Sequence, residues 1–121
     1  MTSYTLLLRQ VHPNFVRSGR ITSQVFYPSK KDDKYLSVEN GDMITPQASW
    51  ERYVRELKSA GVVAVSVEEC ESEALPILED GIPYKEHCSI DFSAFSGGRL
   101  EAKARKLTTK ADERGWLMKA E

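Results

Sequence analysis

Two groups of side chains in this sequence have the right types and spacing to do chemistry. The first is a histidine among arginines: Arg9, His12, Arg17 and Arg20, with Ser23 following and Lys30, Lys31, Asp32 and Asp33 in the next turn. An imidazole near a carboxylate is a general acid or base, and guanidinium groups hold phosphate. That combination would suit RNA or a nucleotide, with His12 as acid or base and Arg9, Arg17 and Arg20 on phosphate. The plainer account is a hairpin loop shaped by Pro13 and Gly19, whose charges keep it solvated. The second group is a column of cations: Arg99, Lys103, Lys106, Lys110 and Arg114. At 3.6 residues per turn these fall on one side of a helix. They would grip phosphates or an acidic protein surface, or simply solvate that face and complement the helix dipole.

Other chemistry is weakly signalled. A zinc site would need both histidines and both cysteines, namely His12, Cys70, His87 and Cys88. His87 and Cys88 are adjacent and would point opposite ways on a strand, and structural zinc sites show paired ligand spacing. No metal site and no cofactor are therefore expected. The turns Ser18-Gly19-Arg20 and Ser96-Gly97-Gly98-Arg99 contain glycine, but neither has the spacing of a phosphate loop or a dinucleotide fingerprint. The acidic run from Glu68 to Asp80 lacks the ligand spacing of a calcium loop.

Charge is sorted along the chain. Met1 to Lys31 carries five basic residues and no acidic one, whereas Ser59 to Tyr84 carries six acidic residues and no basic one. The net charge of -1 conceals these blocks, which set up local fields that attract partners of opposite sign. A pI near 6.1 argues against a dedicated nucleic-acid binder. At 121 residues the chain is expected to be a single domain, 1–121, able to fold without disulfides. It has no apolar run long enough to span a membrane and no signal-peptide pattern at MTSYTLLLRQ, so a cytoplasmic protein with reduced thiols is expected, away from membranes.

The elements that must position these residues follow from periodicity and punctuation. Tyr4 to Val11, Ile21 to Tyr27 and Tyr35 to Val38 read as strands. Thr45 caps a helix with Pro46 at its first position, and Trp50, Tyr53, Val54 and Leu57 form its buried stripe up to a stop at Gly61. Val62 to Val67 is apolar throughout, as in an interior strand covered on both faces. A short helical turn near Glu68 to Ala74 precedes a strand from Tyr84 to Phe92. The last helix runs from about Gly98 to Arg114 on a stripe of Leu100, Ala104, Leu107 and Ala111. Gly115 ends it, and Trp116-Leu117 folds back as an anchor. The order βββ-α-β-β-α predicts an α+β domain: a mostly antiparallel sheet of about five strands with two main helices on one face.

The string RQVHPNFVRSGRITSQVFYP, continuing through KYLSVENGDMIT and SWERY, and the closing IDFSAF with a helix ending in RGW, resemble small bacterial open reading frames of unassigned activity. The resemblance spans most of the chain. It implies a bacterial cytoplasmic protein carried by mobile or defence-associated gene clusters, and it assigns no residue roles.

The leading expectation is a non-catalytic protein-interaction module of immunity, antitoxin or accessory type. Its partner would be another protein, bound through Arg99, Lys103, Lys106, Lys110 and Arg114. The alternative is a small RNA- or nucleotide-directed enzyme built on His12, Arg9, Arg17 and Arg20. Convergence of His12, an arginine and a carboxylate in one cleft would favour the enzyme.

Overall fold

The computed structural model describes residues 1–29 and 34–121. Lys30, Lys31, Asp32 and Asp33 lie outside the described residues. The chain is α+β. In order, its elements are β1 (Leu6–Gln10), β2 (Val16–Arg17), β3 (Arg20–Ile21), β4 (Tyr35–Asn40), α1 (Pro46–Tyr53), β5 (Gly61–Ser66), α2 (Val67–Ser72), β6 (Ile77–Leu78), β7 (His87–Asp91), α3 (Gly97–Arg114) and β8 (Met118–Lys119). Among the described residues, six strands form one antiparallel sheet in the order β6-β7-β4-β1-β5-β8, and β2 and β3 form a separate hairpin. Two of the six strands, β6 and β8, are short edge pieces whose two residues each are too few to leave a periodic signature.

The two main helices cover opposite faces of the sheet, where one shared face was expected. Alternation along the strands explains this. On β1 and β5, Leu7, Val63 and Val65 point into the larger core with Leu100, Leu107 and Ala111 of α3. Leu8, Val62 and Ala64 point the other way and meet Trp50 of α1. Every residue of β5 is buried, as its unbroken apolar run requires. Its outer neighbour β8 pairs only at Gly61 and Val62. Leu117 donates its backbone N–H to Val62 O, so the tail does anchor back onto the sheet.

Two other expectations are corrected. Ile21 to Tyr27 is not a strand: β3 ends at Ile21 and Ser23 to Phe26 form a 3₁₀ turn. The turn lets the consecutive residues Val25 and Phe26 both enter the core, which a half-covered strand would forbid. Helix α1 starts as expected, with Thr45 Oγ1 accepting from Ala48 N–H and Pro46 in the first turn, but it stops at Tyr53. Trp50 packs inward, whereas Leu57 lies beyond the helix with 58% of its surface exposed. Gly61 opens β5 instead of ending α1.

Candidate functional site

The main cleft arises from a flaw in strand pairing. β1 pairs with β5 along its whole length but with β4 only at Leu7 and Leu8. Beyond Leu8 the two strands part, and Arg9 fills the seam. Its Nε donates to Val25 O and its Nη1 to Ser37 O, both at 2.9 Å. A cleft of about 580 Å³ opens over this divergence, on the face that α1 covers. Here the sheet face is polar, because β4 offers Ser37 and Glu39 where the register sets them opposite Ser89 and His87 of β7.

A hydrogen-bonded chain lines the floor. Ser59 Oγ donates to Gln10 Oε1 at 2.7 Å, and Gln10 Nε2 donates to Ser49 Oγ at 2.9 Å. Ser49 Oγ donates to Glu39, and Arg52 bridges Glu39 and Glu86. The Arg52 guanidinium also lies 3.6 Å from the Tyr84 ring centroid, a cation–π contact. Hydrogen bonding from Arg52 holds the Glu86 carboxyl below its usual range. The polar chain from Ser59 to Glu86 is thus satisfied within itself. The rim of the cleft mixes exposed Leu57 and Tyr84 with exposed Arg55 and Glu56.

Both histidines border this cleft, each with Nδ1 committed. His12 caps the 3₁₀ turn Pro13–Phe15, and its Nδ1 accepts from Asn14 N–H at 3.1 Å. An accepting Nδ1 places the proton of neutral His12 on Nε2, so this ring is a hydrogen-bond donor. His87 is arranged the other way. Its Nδ1 sits 2.5 Å from Asp80 Oδ1, and Ser89 Oγ donates to Asp80 Oδ2 at 2.7 Å. Partial burial pushes the Asp80 carboxyl up, but the hydrogen bonds from His87 and Ser89 outweigh this and leave it below its ordinary value. An ionised Asp80 can only accept, so Nδ1 of His87 carries a proton, and in the neutral imidazole Nε2 is the acceptor. Of the two rings, His87 is the one backed by a carboxylate, whereas the alternative sequence reading names His12 as the acid or base. The signal was local: Asp80-Gly81 and Pro83 form the reversal that brings a carboxylate back beside His87.

The arginines expected to join His12 are dispersed. Arg9 reaches the cleft but is tied to backbone carbonyls. Arg17 is exposed on the β2–β3 hairpin, and Arg20 pairs with Asp112 of α3. His12, arginines and the carboxylate Glu39 do border one cleft. The four zinc candidates do not assemble: Cys70 and Cys88 belong to the larger core, and His87 stands on the opposite face of β7 from Cys88. Both thiols are free, and burial pushes Cys70 up to about 12 and Cys88 to about 11.

The cation column of α3 is partly consumed inside the molecule. Lys103 Nζ donates to Glu73 O at 2.6 Å and lies 4.2 Å from the Phe95 ring centroid. Lys106 lies 3.6 Å from the Glu73 carboxylate. Arg114 donates to Glu69 Oε1 and to Ala64 O, each at 2.9 Å. Arg99 stands over Phe95, 5.2 Å from its centroid. Lys103 is therefore not part of an open stripe, whereas Arg99, Lys106 and Lys110 remain exposed. A second groove, about 520 Å³, runs between α2 and α3 with Glu68 and Glu73 facing Lys106 and Lys110.

No helix among the described residues is long and apolar enough to cross a membrane. Compared with known proteins, the chain matches no family model, no curated protein and no solved structure.

Proposed function

We propose that this chain is a small acid–base enzyme whose working site is the cleft at the β1–β4 divergence, with His87 as the proton acceptor. The observation that carries this reading is the Ser89–Asp80–His87 relay, in which a carboxylate anchored by Ser89 holds Nδ1 of an imidazole that lines the cleft. A carboxylate behind an imidazole orients it and stabilises the imidazolium that forms on proton uptake. His12 acts as a neutral donor elsewhere in the same cleft, and not as the base. A bacterial cytoplasm is the setting this reading adopts, in keeping with two free thiols.

The test is turnover of a panel of activated carboxylic and phosphate esters by the wild-type chain, His87→Gln and Asp80→Asn. Positioned acid–base groups contribute about 10²–10⁴-fold. Loss of that order in His87→Gln, with a smaller loss in kcat for Asp80→Asn, is expected. Rates indifferent to both substitutions would remove the site.

A charge-steered protein partner on α3 is the second reading, supported by the exposure of Arg99, Lys106 and Lys110. It predicts that Lys106→Gln with Lys110→Gln slows association with a captured partner and flattens its salt dependence. Unchanged association at two salt concentrations would count against it.

A further inference from the structure

We infer that Ser37 is the nucleophile served by His87, and that the cleft hydrolyses uncharged carboxylic esters. The inference rests on the acid–base reading above and adds the attacking atom and the substrate class. The placement follows from the register. Glu39 is directly opposite His87, so Ser37, two residues along β4 on the same face, is the diagonal neighbour of His87. Diagonal neighbours on an antiparallel pair lie about 7–8 Å apart, within reach of an imidazole. On the far side of β7, Leu78 pairs with Ser89, and Gly81 N–H donates to His87 O at 3.0 Å. Asp80 is thereby carried alongside His87 by the continuation of β6. With Nδ1 bound to Asp80 on that side, we assign Nε2 to the side of β4, the strand that carries Ser37. Ser37, His87 and Asp80 form a line across three neighbouring chain segments.

The other serine hydroxyls nearby are occupied. Ser49 donates to Glu39 and accepts from Gln10, Ser59 is bonded to Gln10 and Gly61, and Ser89 donates to Asp80. The Ser37 hydroxyl makes no hydrogen bond among the described residues, His87 included, and the residue is exposed in the cleft, so the Ser37–His87 bond is one that the substrate complex would complete.

The substrate class follows from what the cleft offers. Arg52 is bridged by two carboxylates and Arg9 is bonded to two carbonyls, and exposed Arg55 shares the lining with exposed Glu56, so the cleft offers no excess of positive charge to an anionic substrate. Exposed Leu57 and Tyr84 at the rim suit an apolar acyl or alcohol group. In the reaction, Ser37 Oγ bonds to the ester carbonyl carbon and its proton passes to His87 Nε2. The ester C–O bond then breaks, and that proton goes to the departing oxygen to give the alcohol. Water next attacks the acyl carbon and yields a proton to His87. The acyl–Oγ bond breaks, Oγ recovers the proton, and the carboxylic acid leaves. The balance is ester plus water to acid plus alcohol.

The experiment treats the full chain with p-nitrophenyl acetate, and separately with a fluorophosphonate probe followed by peptide mass analysis. Ser37→Ala and His87→Gln are run beside the wild type. The expected result is a burst of p-nitrophenol, a probe adduct on Ser37, and at least a hundredfold loss of turnover in either variant. Ser37 is exposed, so its alanine variant should fold, which circular dichroism checks. Turnover that survives in Ser37→Ala but falls in His87→Gln, or an adduct on another residue, overturns the nucleophile and leaves the base in place. Turnover of phosphate esters alone overturns the substrate class. Rates unaffected by both variants overturn this inference and the acid–base reading together.

Discussion

Glu69 shows how much one side chain can organise. Its Oε1 accepts the Ser66 N–H at 2.7 Å while its own N–H donates to Ser66 Oγ at 3.1 Å, the reciprocal cap of α2. The same carboxylate receives both terminal nitrogens of Arg114 at the other end of the fold. Partial burial pushes Glu69 up, yet the bonds from Arg114 and Ser66 outweigh it and hold it below 4.5, the ordinary glutamate value. Asp80 and Glu86 are held low as well. A carboxyl whose folded value is depressed contributes stability above its unfolded value and loses it as pH falls through the folded one. The urea midpoint should therefore drop between pH 6 and pH 3. Glu69→Gln should start lower and drop less, because an amide accepts the cap bond but does not titrate. Parallel wild-type and variant curves would show that Glu69 is not linked to folding.

At the scale of elements, the junction between α1 and β5 was the least legible part of the chain. A glycine after a helical stripe reads as a stop, but Gly61 answers to its surroundings across the sheet. Its φ is +149°, and a Cβ there would lie 2.3 Å from Met118 O and 2.9 Å from the Trp116 ring. Gly61→Ala should cost about 1–3 kcal/mol by overpacking, and it should loosen β8 and Trp116 first. Hydrogen exchange at Leu117, whose N–H donates to Val62 O, checks this. Leu57 misled for a related reason: helical spacing continued past Tyr53 while the chain had already turned toward Ser59, so the residue became rim instead of core. Helix α3 was legible because its whole stripe obeys one period, and Leu100, Ala104, Leu107 and Ala111 are all buried. The cleft was not, because it depends on where β1 and β4 stop pairing. That is a long-range event, and Arg9 reports it through contacts with Val25 and Ser37. The candidate base was half legible, since the reversal around Gly81 is local but its facing of Ser37 depends on strand register.

For the molecule as a whole, the sorting of charge along the sequence finds its counterpart inside the fold. Acidic α2 and the residues just after it meet basic α3 through Glu69, Glu73, Lys103, Lys106 and Arg114, so the blocks first taken as partner-seeking largely answer each other. Helix α3 also supplies Leu107 to the larger core with no exposed surface, so Leu107→Ala should be costly, about 2–5 kcal/mol. The segment that leads into α3 is exposed at Ser93 and Ala94. These facts make the protein divisible. A cut after Ser93 would separate an acidic piece that keeps most of the sheet from a basic piece that carries α3 and β8, each holding apolar surface that only the other covers. The two pieces should reassemble when mixed, faster at low salt than at high salt, as recovery of the circular dichroism of the intact chain would record. Opposite charge would then act as the homing signal between the halves of a split reporter, and hydrophobic closure over the sheet as its lock.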